Sequence, residues 1–290
     1  MKVKTIVIPG LKVVALTILL FISFTIGAMA AGLGGSAETG TTTEAMGAML
    51  LMCFLDASVL SYPIIRSRWT GWRLVLTTFF VFYGVKTFLS QIETVVFLQY
   101  LSDIVPTEMV PQLFIQGAIT AAIFSPLAVL ILGRMRGKEE APEPNQRLVM
   151  PWTEWLWKLL AIAVIYVVIY ISFGAFVFTP LAGEAFQEYY GNLQMPGWIL
   201  PFQMLRGLIW AGLALPVIRM MKGRWWEAGL AVALLFSVLM ASSLLVPNEL
   251  MPKAIRMAHF VEVSSSNFLF GWIVVWLLNR HHSSLRELFQ

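Results

Sequence analysis

The chain has 290 residues, of which 58% are hydrophobic and only 12% are charged. Because a soluble domain usually carries about 25% charged residues, this composition excludes an ordinary water-soluble enzyme and a disordered chain, and it predicts an integral membrane protein. The net charge is +4, and the single cysteine, Cys53, excludes an intrachain disulfide and a cysteine-based zinc motif.

Eight apolar stretches are each long enough to cross a bilayer core, which needs about 20 residues of helix. Backbone groups in lipid must be hydrogen-bonded within their own segment, so each stretch is predicted to be helical. The predicted spans are 12–33, 45–65, 72–98, 109–133, 155–180, 198–221, 225–246 and 257–279. The expected fold class is therefore an all-α, polytopic membrane protein.

Lysine and arginine are concentrated in every second connection between the predicted spans. They occur at both termini and in the second, fourth and sixth connections, whereas the first, third and fifth connections contain none. Only the seventh connection departs from this pattern, because it holds Lys253 and Arg256. Cytoplasmic loops carry the lysine and arginine excess, so we predict cytoplasmic N- and C-termini and a multi-pass protein of the cell (plasma) membrane.

The positive net charge is explained by this topology, and no nucleic-acid partner is expected. The first span has a second interpretation, because Lys2 and Lys4 precede an apolar run that ends in Ala28-Met29-Ala30, as in a signal peptide with a cleavage site. The apolar run is longer than the usual core of a signal peptide, which favours a retained helix.

The two halves of the chain share short motifs in the same order and at similar spacing. Val105–Pro111 (VPTEMVP) matches Val246–Pro252 (VPNELMP), and both precede an apolar span. Pro63–Arg66 (PIIR) matches Pro216–Arg219 (PVIR), and both end a span on the predicted cytoplasmic side. A weaker match joins the first and fifth spans.

These matches predict a duplicated unit of four helices. Residues 1–133 form the first repeat, residues 154–290 the second, and residues 134–153 a charged, proline-rich cytoplasmic linker. A unit of four spans returns the chain to the same side, so the repeats are expected to be parallel, related by an axis along the membrane normal. The first repeat is longer near its third span, which we expect either to extend beyond the membrane or to be broken at its outer end.

Polar side chains inside the spans are the candidates for a functional site, because an ionisable residue at the bilayer centre costs at least about 2.5 kcal/mol. The candidate substrate- or ion-binding residues are Glu93, Arg206, His259, Glu262, Lys86, Gln203 and Asn267. In the predicted orientation they gather in the outer half of the membrane, in a cleft lined by the third, fourth, sixth and eighth spans. We expect Arg206 to pair with Glu93 or Glu262. Asp56 is expected to pair with Lys86.

Each candidate also has a purely structural interpretation. Lys86 can extend its ammonium group to the membrane surface, and Arg206 can form an ion pair that only joins helices. His259 can be an interhelical hydrogen-bond donor, although intramembrane histidines also mark proton relays. Glu93, His259 and Glu262 can be arranged as metal ligands, since His-x-x-Glu places two ligands on one helix face. A single histidine is a weak metal signal, so we expect no metal or other cofactor.

The leading hypothesis is a transporter or a solute-binding membrane protein, with the lipid bilayer and a small polar or anionic solute as its partners. One alternative is an intramembrane enzyme, with or without a metal, acting on a lipid or lipid-linked substrate. The other is a non-catalytic scaffold subunit. The sequence favours a protein that is not an enzyme, and it assigns no catalytic residue and no oligomeric state.

Overall fold

The computed structural model describes residues 2–33, 43–101, 106–137, 148–191, 196–248 and 250–279, with side chains except those of residues 2–9 and 99–101. The central part of the predicted linker, residues 138–147, lies outside these ranges. So do Arg280 and Arg286 of the C-terminus that was expected to be cytoplasmic.

Eight helices of the described ranges are long and apolar enough to cross a membrane, as the composition predicts. The described ranges contain no β-strand. The helices are α1 (Lys2–Ala30), α2 (Thr43–Ile65), α3 (Gly71–Tyr83), α4 (Leu89–Leu101), α5 (Met109–Ile131), α6 (Trp152–Phe173), α7 (Thr179–Ala182), α8 (Glu184–Tyr190), α9 (Ile199–Met220), α10 (Trp225–Ala241) and α11 (Lys253–Asn279).

Two of the spans contain a π-helical turn. Gly84–Phe88 joins α3 to α4 in the third span, and Gly174–Phe178 joins α6 to α7 in the fifth span. The third span is one continuous helix from α3 to α4, so it extends and is not broken. At about 1.5 Å per residue it is longer than a bilayer core of about 30 Å. π-Helical turns are frequent at functional sites, and both of these lie beside the cavities described below.

The eighth span begins earlier than the sequence predicts. Helix α11 starts at Lys253, so Lys253 and Arg256 belong to its first turn and not to the preceding connection. The Arg256 side chain is buried and donates a hydrogen bond to the carbonyl oxygen of Leu245 at 3.3 Å.

We call the four spans of the first half of the chain the first group and the four spans of the second half the second group, and helices contact one another both within and between these groups. In the first group α1 packs on α2 and α5, and α3 packs on α5; in the second, α6 packs on α9 and α11, and α10 packs on α11. Between the groups, α2 contacts α10 and α3 contacts α9. These contacts join the second span of each group to the third span of the other, and the π-helical turn Gly84–Phe88 also contacts α10.

A backbone bridge joins the connections that follow the second and sixth spans. Ser67 and Met221 form an isolated antiparallel bridge. The N–H of Arg68 donates to the carbonyl oxygen of Met220 at 2.7 Å, and the N–H of Lys222 donates to that of Arg66 at 3.0 Å. These two reciprocal bonds fix the two groups of helices to each other at this end of the bundle.

Helices α10 and α11 approach each other closely at Gly271. A Cβ atom at Gly271 would lie 2.9 Å from the Cα of Ala233, a backbone atom that cannot rotate away. We expect Gly271→Val to lower the free energy of unfolding by about 1–3 kcal/mol, as overpacked cores do. Thermal unfolding in detergent measures this. The matched control is Gly212→Val, because no atom lies within 4 Å of a Cβ at Gly212; equal melting temperatures for the two variants would contradict the packing.

Candidate functional site

Arg206 of α9 is held by three partners in the interior of the bundle. Its side chain is 2% exposed, and its Nη1 lies 2.8 Å from Oε1 of Glu93, which belongs to α4. Nη1 also donates to Oε1 of Gln203 at 3.1 Å, and Nη2 donates to the carbonyl oxygen of Leu89 at 3.0 Å. Gln203 in turn donates to Oε1 of Glu93 at 3.4 Å. The expected pairing of Arg206 with Glu93 is therefore present, and it joins the third span to the sixth.

A small polar cavity lies on one side of this ion pair. Its volume is about 70 Å³, and a cavity of that size holds more than one water molecule. The polar residues that line it are Glu93, Tyr166, Tyr170, Arg206, Glu262, Ser266 and Asn267. These polar side chains come from α4, α6, α9 and α11, and Met240 of α10 also lines the cavity, which we call the Arg206 cavity.

Two polar side chains of the Arg206 cavity have no protein partner. Asn267 is 8% exposed, and its amide makes no hydrogen bond to the residues that the structure describes. The same holds for the Tyr170 hydroxyl within the described ranges. Because buried polar groups are normally hydrogen-bonded, the cavity is suited to water or to a polar ligand.

His259 lies at the edge of this region and links α8 to α11. The Tyr190 hydroxyl lies 2.9 Å from Nε2 of His259, and Nδ1 of His259 lies 3.3 Å from Oε2 of Glu262. Phe178 stacks on the imidazole ring with 3.9 Å between ring centroids. Burial raises the pKa of Tyr190, so its hydroxyl stays protonated. The Tyr190 hydroxyl and the Glu262 carboxylate thus engage the two ring nitrogens of His259.

Lys86 lies in a different place from the other candidates. Its Nζ is 2.8 Å from Oδ2 of Asp56 and also donates to Oγ of Ser242 at 2.8 Å, while Ser242 donates to Oδ1 of Asp56 at 2.6 Å. The expected pair of Asp56 and Lys86 is thus present. Together with Gln116 it lines a second cavity of about 140 Å³.

The single cleft expected from the sequence is therefore two separate cavities. One of them is lined by Glu93, Arg206, Glu262 and Asn267. Gln203 does not line this cavity but accepts a hydrogen bond from Arg206, and His259 contacts Glu262. Lys86, seven residues before Glu93, belongs to the other cavity. Lys86 lies within the π-helical turn, and this turn changes the helical register between Lys86 and Glu93.

The sequence interpretation missed the aromatic residues of α6. Tyr166 and Tyr170 line the Arg206 cavity, and Tyr166 accepts a hydrogen bond from Trp210 at 3.3 Å. Their spacing of four residues places them on one face of the fifth span. That spacing is the signal that identifies them, because tyrosine hydroxyls inside a membrane need polar partners.

Glu93, His259 and Glu262 do not form a metal site together. Among the described residues, no three side chains of histidine, cysteine, aspartate or glutamate are grouped so that they could hold a metal ion. Glu93 is engaged with Arg206, whereas His259 and Glu262 bond to each other.

Comparison with protein-family models, with curated proteins and with solved structures finds no match.

Proposed function

We propose that the protein is a transporter or a solute-binding membrane protein and that the Arg206 cavity is its binding site. The observation that carries this proposal is the convergence of charged and unpartnered polar side chains from four spans on one cavity. A scaffold protein needs no such space, since its buried polar groups can pair completely.

The proposed architecture is two parallel repeats, residues 1–133 and 154–290, with both termini in the cytoplasm of a plasma-membrane protein. Helices α2 and α9 are the second spans of their groups, and α3 and α10 belong to the third spans. The α2–α10 contact therefore has its counterpart in the α9–α3 contact, which supports a two-fold relation. The cavities support it too. Each cavity lies within one group of helices and is also lined by one side chain from the other group, which comes from the third span of that group or from the turn that follows the span. These side chains are Glu93 in the Arg206 cavity and Ser243 in the Lys86 cavity. Motion of one group against the other would open and close both cavities.

The proposed roles follow from the contacts. Glu93 holds Arg206 in place and neutralises it, so Glu262 supplies the second carboxylate of the cavity. The chain from Tyr190 through His259 to Glu262 provides a path along which a proton reaches or leaves that carboxylate. Glu262 is the group we expect to bind and release a proton or a cation during the cycle.

The pair of His259 and Glu262 also supports a second candidate, an intramembrane enzyme that acts on a lipid or lipid-linked substrate. An imidazole hydrogen-bonded to a carboxylate can act as a general base. Incubation of the purified protein with radiolabelled membrane lipids separates the candidates. Conversion of a lipid that is lost in His259→Ala would favour the enzyme.

Glu262→Gln is expected to abolish transport while the protein stays folded, because glutamine keeps the shape of the side chain but cannot titrate. Proteoliposomes are offered a panel of labelled amines, amino acids, organic acids and amphiphiles, and uptake is compared with that of protein-free liposomes. The control is Glu184→Gln, since Glu184 is an exposed residue of α8 that lines neither cavity. Normal uptake by Glu262→Gln, or no uptake of any compound by the unmodified protein, would contradict the proposal.

A further inference from the structure

An apolar groove runs along the outside of the fifth span. Its volume is about 290 Å³, close to the lower end of the range of about 300–1,000 Å³ that is typical of ligand pockets. The π-helical turn supplies Gly174, Ala175 and Phe178, and helix α8 supplies Phe186 and Tyr190. The groove is thus formed where the helix widens and where α8 folds back against it.

The groove is open on the outer surface of the helical bundle. Ile171 and Phe176, on either side of the glycine, are 51% and 79% exposed. Ala175 is exposed as well, and no atom lies within 4 Å of a Cβ built on Gly174. Nothing in the described part of the chain covers this side, so acyl chains of the membrane have direct access to it.

The groove and the Arg206 cavity adjoin each other. Tyr170 and Glu262 line both spaces, which makes them the boundary between an apolar compartment and a polar one. A molecule that fills both must therefore be amphipathic, with an apolar chain on the side of Phe178 and a polar end beyond Glu262.

The polar compartment has an excess of negative charge. It holds two carboxylates, Glu93 and Glu262, but one guanidinium, whose two terminal nitrogens are engaged with Glu93, Gln203 and Leu89. Among the described residues, its polar groups without a protein partner are the buried Nε of Arg206, the Asn267 amide and the Tyr170 hydroxyl. A positively charged or hydroxyl-bearing end is favoured here, and a carboxylate is repelled.

Building on the proposed function, we propose that the substrate of the Arg206 cavity is a single-chain amphiphile with a small amine or alcohol terminus, which enters sideways from the bilayer. Its chain lies in the groove along Gly174 and Ala175, and its terminus donates hydrogen bonds to Glu262 and Asn267. The cavity of about 70 Å³ accepts a small terminus of this kind.

Photolabelling of the purified full-length protein tests this assignment. The probes are hexadecylamine, hexadecanol and hexadecanoic acid, each with a diazirine in the chain, and labelled peptides are mapped by mass spectrometry. We expect saturable labelling within residues 171–190 by the amine and the alcohol. Labelling by the acid is expected to be at least about tenfold weaker, because the carboxylate of the probe is repelled by the carboxylate of Glu262. Equal labelling by all three probes would overturn the proposal.

A matched pair of variants tests the groove itself. Ala175→Trp fills the groove and should abolish labelling, whereas Val164→Trp should not, because Val164 is an equally lipid-facing residue of α6, 47% exposed, outside the groove. Labelling that persists in Ala175→Trp would overturn the proposal.

The labelling experiment tests the substrate class, and the uptake experiment with Glu262→Gln tests the proposed function, so the two can fail independently. If Glu262→Gln abolishes uptake of a water-soluble solute and the amphiphiles do not label the groove, the site stands and the lipid-like substrate is wrong. If Glu262→Gln transports normally, the function assigned to the cavity is wrong whatever the labelling shows.

Discussion

Arg206→Ala is expected to lower the free energy of unfolding by about 3–5 kcal/mol, the cost of removing one partner of a buried ion pair. The variant leaves the partly exposed carboxylate of Glu93 without its cation, and it also removes the hydrogen bonds from the buried Arg206 to Gln203 and Leu89. Thermal or denaturant unfolding in detergent measures the change. Arg136→Ala is the control, since Arg136 is exposed, and it should change stability by no more than about 0.5 kcal/mol.

The second variant of this pair isolates the interaction itself. Glu93→Gln removes the negative charge, so the double variant Arg206→Ala, Glu93→Gln should recover part of the stability lost in Arg206→Ala. If the two single effects simply add, Arg206 and Glu93 do not interact in the folded protein, and the geometry of the cavity is incorrect.

Lys86→Met is expected to have an effect of similar size, again about 3–5 kcal/mol. Asp56 is fully buried, and Lys86 and Ser242 are its partners. Methionine keeps the length of the lysine stem but leaves the carboxylate unpaired. Ser242→Ala removes one neutral hydrogen bond to the same carboxylate and should cost less, about 1–2 kcal/mol.

The same unfolding measurement in detergent ranks these two variants. Asp56→Asn in the Lys86→Met background removes the unpaired charge and should restore part of the stability. A Lys86→Met protein as stable as the unmodified chain would show that Asp56 and Lys86 are not paired across α2 and the π-helical turn.

Much of the fold could be predicted because the bilayer imposes simple rules. Length and hydropathy alone identify the eight spans to within a few residues, since each must be a helix of about 20 residues. The two ion pairs followed from the same physics, because a charge in a low-dielectric interior requires a partner. Arg206 was therefore expected to pair with Glu93 or Glu262, and Asp56 with Lys86.

The division into two cavities could not be predicted, because it depends on helical register. The π-helical turn at Gly84–Phe88 changes the register of the third span, so Lys86 and Glu93 reach different neighbours. No residue pattern in the sequence marks such a turn. The stacking of Phe178 on His259 depends likewise on a second π-helical turn and on how α8 folds back, which are results of tertiary packing.

The most direct test of the account is the accessibility of Asn267 to water. In a Cys53→Ser background, which removes the one native thiol, a water-soluble methanethiosulfonate reagent is applied to Asn267→Cys and, as a buried control, to Phe270→Cys. Only a hydrated thiol ionises and reacts readily. We predict that Asn267→Cys reacts at least about tenfold faster than Phe270→Cys, and that hexadecylamine slows the reaction. Equal, slow reaction of both cysteines would contradict a polar cavity at the meeting point of α4, α6, α9 and α11.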